Sequence, residues 1–215
     1  MQNQILALVN FVLHVDIHLN RLIAFAGSGT YAILFLIIFA ETGLVIAPFL
    51  PGDSLLFTAG ALAATGSLNI YALVIILILA SIMGDSVNYS IGRRIGGRVY
   101  REERLLGIPM KRKHLDDARA FYTKHGTKAI ALSRFLPILR TLVPFTAGVG
   151  NMPYQSFLVS NIVGGITWVS LFTIGGYFFG NIPAVKSNFG FVIIGIVVVS
   201  FMPIVFEVLR TKFKR

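Results

Sequence analysis

The chain has 215 residues, 55% of them hydrophobic and 13% charged, and its mean hydropathy of +0.78 lies well above what an ordinary water-soluble domain shows. The net charge is +10, but eleven of the nineteen basic residues fall between Arg93 and Lys128 and four more close the chain as Arg210, Lys212, Lys214 and Arg215. Cations crowded beside apolar spans follow the positive-inside pattern rather than that of a nucleic-acid surface, and they also attract acidic lipid. Cysteine is absent, which excludes disulfides, zinc thiolates and a thiol nucleophile.

In chain order, residues 1–28 predict an amphipathic helix lying at the membrane interface. The apolar run there is short, is interrupted by His14, Asp16 and His18, and has no cation before Arg21, so it does not read as a signal peptide. Asp16 would point away from the two histidines on a helix, which favours a polar face over a zinc site, and no metal or cofactor is expected. Residues 29–66 are apolar but broken by Pro48, Pro51 and Gly52. Residues 68–92 predict a transmembrane helix, 93–128 a basic cytoplasmic segment, and 129–152 a second apolar stretch broken by Pro137 and Pro144. Two further transmembrane helices are expected over 154–180 and 187–209. Proline removes a backbone donor and disfavours helix just before it, so each broken stretch reads as a helical hairpin.

Parity says how the hairpins enter. If the basic segment and the basic C-terminus are both cytoplasmic, the crossings at 154–180 and 187–209 already return the chain to that side. The hairpin 129–152 must then enter and leave by one face, and working backwards the hairpin 29–66 enters from the other. The words Phe49-Leu-Pro51, Ala59-Gly60 and Ile91-Gly92 are repeated as Phe135-Leu-Pro137, Ala147-Gly148 and Ile174-Gly175. The fold class expected is therefore a single all-α integral membrane domain of two inverted repeats, each a re-entrant hairpin plus a transmembrane helix. Broken helices in corresponding halves point to a transport site.

The ionisable residues inside the apolar stretches are Glu41, Asp53, Asp85, Arg134 and Arg140. Each costs a few kcal/mol or more if left facing lipid, so each is by default a functional-site candidate. Asp53 follows Pro51-Gly52, where a carboxylate also serves as a helix N-cap. Glu41 has nothing nearby to cap and is suited to carrying a proton. Arg134 and Arg140 flank Pro137; six residues of ideal helix set them about 120° apart, and the proline break lets them converge. Their planar donor forks suit phosphate or carboxylate, so an anionic substrate or a buried salt bridge to Glu41 or Asp53 would satisfy them. Asp85 is expected to join a local network with Ser86, Asn88 and Tyr89. The run Gly92-Arg93-Arg94-Ile95-Gly96-Gly97 lacks the strand and the Lys-Ser/Thr of a phosphate loop. No histidine falls in the apolar stretches, and no enzymatic activity is expected.

The words Phe39-Ala-Glu41-Thr-Gly, Phe49-Leu-Pro51-Gly52-Asp53, Gly84-Asp85 with Tyr89 and Gly92-Arg93, and Arg134-Phe with Pro137, Arg140-Thr141, Pro144 and Ala147-Gly148 resemble the DedA family over residues 31–180. The resemblance implies a bacterial inner-membrane protein related to the VTT lipid scramblases, linked to the return of undecaprenyl phosphate across the membrane and to the proton-motive force. It carries the family's essential charges to Glu41 and Asp53 as proton-coupling groups and to Arg134 and Arg140 as phosphate ligands. Asp85, Tyr89, Arg93 and Thr141 support them, as do Pro51, Gly52, Pro137 and Pro144 at the breaks. The partners expected are an anionic membrane lipid and protons, with no nucleic acid and with homo-oligomer formation open. A proton-driven antiporter of cations or toxic small molecules, a passive scramblase and a lipid-modifying enzyme are the rival readings. If the hairpins enter from opposite faces, cysteines introduced as Gly66→Cys and Met152→Cys are expected to react with an impermeant thiol reagent from opposite sides of the membrane, and labelling of both from one side would refute the topology.

Overall fold

The structure, a computed structural model, describes residues 15–44, 52–102, 104–105, 108–109, 112–180, 182, 183, 185 and 195. Its elements are α1 (Val15–Ala26), α2 (Gly29–Gly43), α3 (Gly52–Ala64), α4 (Ile70–Glu102), a two-residue antiparallel pair β1 (Arg104–Leu105) and β2 (Ile108–Pro109), α5 (Arg112–His125), α6 (Lys128–Ser133), α7 (Pro137–Val149) and α8 (Tyr154–Phe179). Pro51, His14 and, but for Gly195, the helix expected over 187–209 lie outside the described residues.

Local chemistry explains the ends. Asn69 caps α4, its side-chain oxygen accepting from the backbone N–H of Tyr71 and Ala72 at 3.0 and 3.1 Å, while the Tyr31 hydroxyl accepts from the N–H of Asn69 at 2.7 Å. This satisfies donors that a helix start leaves open. Gly126, at φ 59°, stops α5 in the left-handed conformation that glycine tolerates best. Leu136 is extended, at φ −119° and ψ 101°, and Pro137 is the first residue of α7. A residue before proline avoids the helical region and proline suits a first helical position, so the α6–α7 break is written in the Leu136-Pro137 pair. Beyond residue 92 the chain stays helical to Glu102, and much of the basic stretch that follows is ordered as β1, β2 and α5.

Among the described residues two helical segments are long and apolar enough to cross a membrane, Ile70–Val99 and Tyr154–Phe179. On α4 the exposed residues Tyr71, Ile75, Leu79, Met83 and Val87 follow one another every fourth position, a continuous apolar stripe of the kind that water does not favour and lipid does.

The chain forms two compact units. One holds Met1–Leu34, Pro51–Leu77 and Val169–Arg215, the other Phe35–Leu50 and Ile78–Trp168. In the first, α3 meets the C-terminal half of α8 backbone to backbone: a Cβ on Gly60 would lie 1.9 Å from the carbonyl oxygen of Thr173, one on Gly176 would lie 1.9 Å from that of Phe57, and one on Gly180 would strike Ala61. In the second, α7 meets α4 in the same manner: a Cβ on Gly148 would lie 2.1 Å from the carbonyl oxygen of Tyr89, one on Gly92 would lie 2.1 Å from that of Phe145, and one on Gly96 would strike Val149. Small residues let helix backbones approach this closely in a membrane. The core of the second unit is completed by Leu115, Ala118, Ile130, Leu142, Val143 and Phe157. Gly176→Val is expected to destabilise the chain by about 1–3 kcal/mol through overpacking, seen as a lowered unfolding temperature in detergent. Gly175→Ala, where nothing lies within 4 Å, should leave it unchanged.

Candidate functional site

The second unit brings four of the intramembrane charges together. Glu41 lies in the last turn of α2, just before Thr42 and Gly43. Gly43 and Gly84 face each other closely enough that a Cβ on Gly43 would lie 3.2 Å from the Gly84 carbonyl oxygen, which presses the end of α2 against α4. Asn88, fully buried, fastens the arrangement: its Nδ2 donates to the carbonyl of Thr42 at 3.1 Å and to that of Thr141 at 2.7 Å, tying α2 to α7 through α4.

Arg140, in the first turn of α7, donates from Nη1 to Glu41 Oε1 at 2.9 Å and from Nε to the Arg134 carbonyl at 2.9 Å. Arg134 occupies the break after α6 and is fully buried. Its Nη2 donates to Asp85 Oδ2 at 2.7 Å and to Asn161 Oδ1. Asn161 in turn donates to the Ile82 carbonyl at 3.0 Å. Gly164 makes room for this arginine, since a Cβ there would lie 3.0 Å from Arg134 Cδ. Both guanidinium groups stand over the ring of Trp168, that of Arg140 at 4.5 Å from the centroid and that of Arg134 at 5.8 Å, within cation–π range.

The proline break does let the two arginines converge, and each has a carboxylate of its own. Two acids and two arginines balance in formal charge, as burial in a low dielectric demands. Pairing is not complete at the level of atoms. Among the described residues Arg134 Nε and Nη1, Asp85 Oδ1 and Thr141 Oγ1 are buried without a hydrogen-bond partner, so unused donors and acceptors remain within the cluster.

Asp85 is not held by its chain neighbours: Ser86 Oγ donates to the Ile82 carbonyl at 2.7 Å, Asn88 holds Thr42 and Thr141, and the Tyr89 hydroxyl donates to the carbonyl of Met152. Its partner is Arg134, 49 residues away. Asn161 and Trp168 are additions that a search restricted to ionisable residues passes over; a carboxamide well inside an apolar span and the chain's lone tryptophan were the available signals. Asp53 belongs to the first unit, buried in the first turn of α3 just after Gly52, where a carboxylate favours the positive end of the helix dipole. Pro144 lies inside α7, and Arg93 is exposed on α4.

But for the two-residue pair β1–β2 the elements of the described residues are helices, two segments have membrane-spanning length, and charges are paired in the interior of the second unit. A VTT domain is matched over residues 50–178. Protein DedA of Escherichia coli strain K12 is 51% identical over 211 residues, covering 95% of this chain and 94% of that one. An uncharacterized membrane protein of Mycobacterium leprae is 44% identical over 167 residues, 78% of this chain and 74% of its own. The inner membrane protein YghB of E. coli strain K12 is 37% identical over 161 residues, 75% of this chain and 73% of its own. No solved structure matches. The chain belongs to the VTT-domain family, the DedA family of membrane proteins.

Removing one member of a buried pair leaves the other uncompensated. Asp85→Ala is expected to cost about 3–5 kcal/mol, read as a loss of thermal stability in detergent, and Asp85→Ala combined with Arg134→Met should recover part of it. A double variant as unstable as the sum of the single changes would show that the two side chains are not coupled.

Proposed function

We propose that the chain is a proton-motive-force-linked lipid transporter that moves undecaprenyl phosphate, or a related anionic phospholipid, across the bacterial cytoplasmic membrane. The observation that carries this reading is the buried Arg140–Glu41 pair at 2.9 Å. A guanidinium whose counter-charge is a carboxylate can exchange that carboxylate for a phosphate when a proton neutralises the acid. The planar fork of arginine can donate bidentately to either anion. Proton arrival at Glu41 would thus free Arg140 for the lipid phosphate, and proton loss would return the carboxylate and expel the head group. Arg134, with donors to spare beside the ion pair to Asp85, supplies a second cation, and Trp168 keeps both guanidinium groups in place between anions. Asp53 is assigned a parallel proton-carrying role in the other unit. No bond of the lipid is made or broken in this scheme, so the chain acts as a carrier and not as an enzyme.

The helix contacts support an internal repeat. Phe57, Gly60 and Ala61 of α3 correspond to Phe145, Gly148 and Val149 of α7, each 88 positions on, and Tyr89, Gly92 and Gly96 of α4 correspond to Thr173 and Gly176 of α8 and to Gly180 just after it, each 84 positions on. Pairing by contact would set Gly92 beside Gly176, whereas the shared Ile-Gly letters set it beside Gly175. Two copies of one packing unit fit alternating access between opposed re-entrant hairpins, with the basic segment 93–128 and the C-terminus in the cytoplasm.

In proteoliposomes loaded with undecaprenyl phosphate, the wild-type chain is expected to move the lipid faster under an imposed pH gradient. Arg140→Ala and Arg134→Ala should each abolish movement, and Glu41→Gln should abolish its dependence on the gradient. Unchanged transport in both arginine variants would sink the proposal. Movement of a cation or toxic small molecule that survives the arginine changes but not Glu41→Gln would instead identify an antiporter, and lipid movement indifferent to the gradient a scramblase.

A further inference from the structure

Apart from the buried pairs, the second unit has a cavity of about 630 Å³ lined by Tyr89, Ser90, Arg93, Arg94 and Tyr154. We propose that it is a second anion site, which holds the phosphate-monoester head of a membrane lipid whose acyl chains lie along α4.

The lining carries two guanidinium groups, two phenol rings and a hydroxyl, and no carboxylate. Arg93 and Arg94 are exposed, and among the described residues neither has a carboxylate partner of the kind that holds Arg134 and Arg140. Two adjacent arginines without a counter-charge among the described residues are a pair of donor forks suited to an anion. The wall behind them is stiff: Tyr89 is 2% exposed, its hydroxyl holds the carbonyl of Met152, its ring stacks on Phe157 at 4.5 Å and meets Tyr154 at 5.6 Å. The close contacts of Gly92 and Gly148 fix α4 against α7 behind it. The size is that of a small-molecule site.

Position selects a lipid rather than a free ion. The exposed stripe Leu79, Met83 and Val87 continues three and seven residues on into Ser90 and Arg94, so the same helix face passes directly from apolar to cationic. At 1.5 Å per residue Ser90 stands about 4.5 Å, and Arg94 about 10 Å, beyond Val87. Head groups occupy roughly the 5–8 Å outside the hydrocarbon, so this is the depth at which phosphates lie when acyl chains cover the stripe. Tyrosine also favours that boundary. As the place where a lipid docks before transfer, the site rests on the transport reading above; as a binding site it is measured separately.

The test uses the full chain in detergent, with native mass spectrometry reading retained dioleoyl phosphatidic acid against dioleoyl phosphatidylcholine, in an Arg140→Ala background so that the buried site is disabled. Phosphatidic acid is expected to be retained in preference to phosphatidylcholine, to lose affinity about tenfold on adding Arg93→Ala and Arg94→Ala, and to keep it on adding Lys113→Ala, an exposed cation of α5. Should the double change impair folding, Arg94→Glu alone is expected to give the loss. Undiminished retention in these variants overturns the proposal, and inorganic phosphate that competes as well as the lipid does would overturn the lipid assignment in favour of free phosphate. Binding that persists here while Arg140→Ala leaves transport intact would refute the transport mechanism without touching this site.

Discussion

A guanidinium group removed from water needs an anion beside it, and the second unit is organised around meeting that need twice. Arg134 and Arg140 differ in how they reach the interior, one from a break between helices and the other from the first turn after it, yet each finds a carboxylate carried by a different helix. Glu41 comes from α2 and Asp85 from α4. The two pairs therefore pin the ends of elements far apart in the chain to the proline break, and Asn88 repeats the same connection with neutral hydrogen bonds to Thr42 and Thr141. Losing one charge disturbs three helices because each pair is also a structural joint.

The glycine contacts follow from the same constraint. Lipid offers no hydrophobic drive for helices to associate, so packing and short polar contacts must hold them together. Gly43 against Gly84, Gly92 against Phe145 and Gly148 against Tyr89 bring backbones close enough for side chains as short as Asp85 and Asn88 to reach across. Larger residues at these positions would separate the helices by more than an ion pair or hydrogen bond spans.

Much of this was legible beforehand because lipid makes composition informative. A glutamate within Phe39-Ala-Glu41-Thr-Gly or an arginine beside Phe135-Leu136-Pro137 has no bland explanation in an apolar stretch, and the Leu136-Pro137 pair announces a break by its own steric rules. Partner choice was less legible. Asp85 sits beside three polar neighbours that could hold it locally, and only the packing of α4 against the α6–α7 break reveals that they face elsewhere. Asn161 and Trp168 carry no charge, so the cost argument that singles out ionisable residues is silent about them, although a carboxamide pays for burial too.

Trp168 has a use beyond holding two cations. It is the only tryptophan in the chain, and its ring is fully buried with both arginines over it. The intrinsic indole emission of the intact protein therefore originates at a single place, and its wavelength and intensity depend on the field of the guanidinium groups 4.5 and 5.8 Å away. The molecule carries its own optical gauge of how those two charges are compensated, with no label attached.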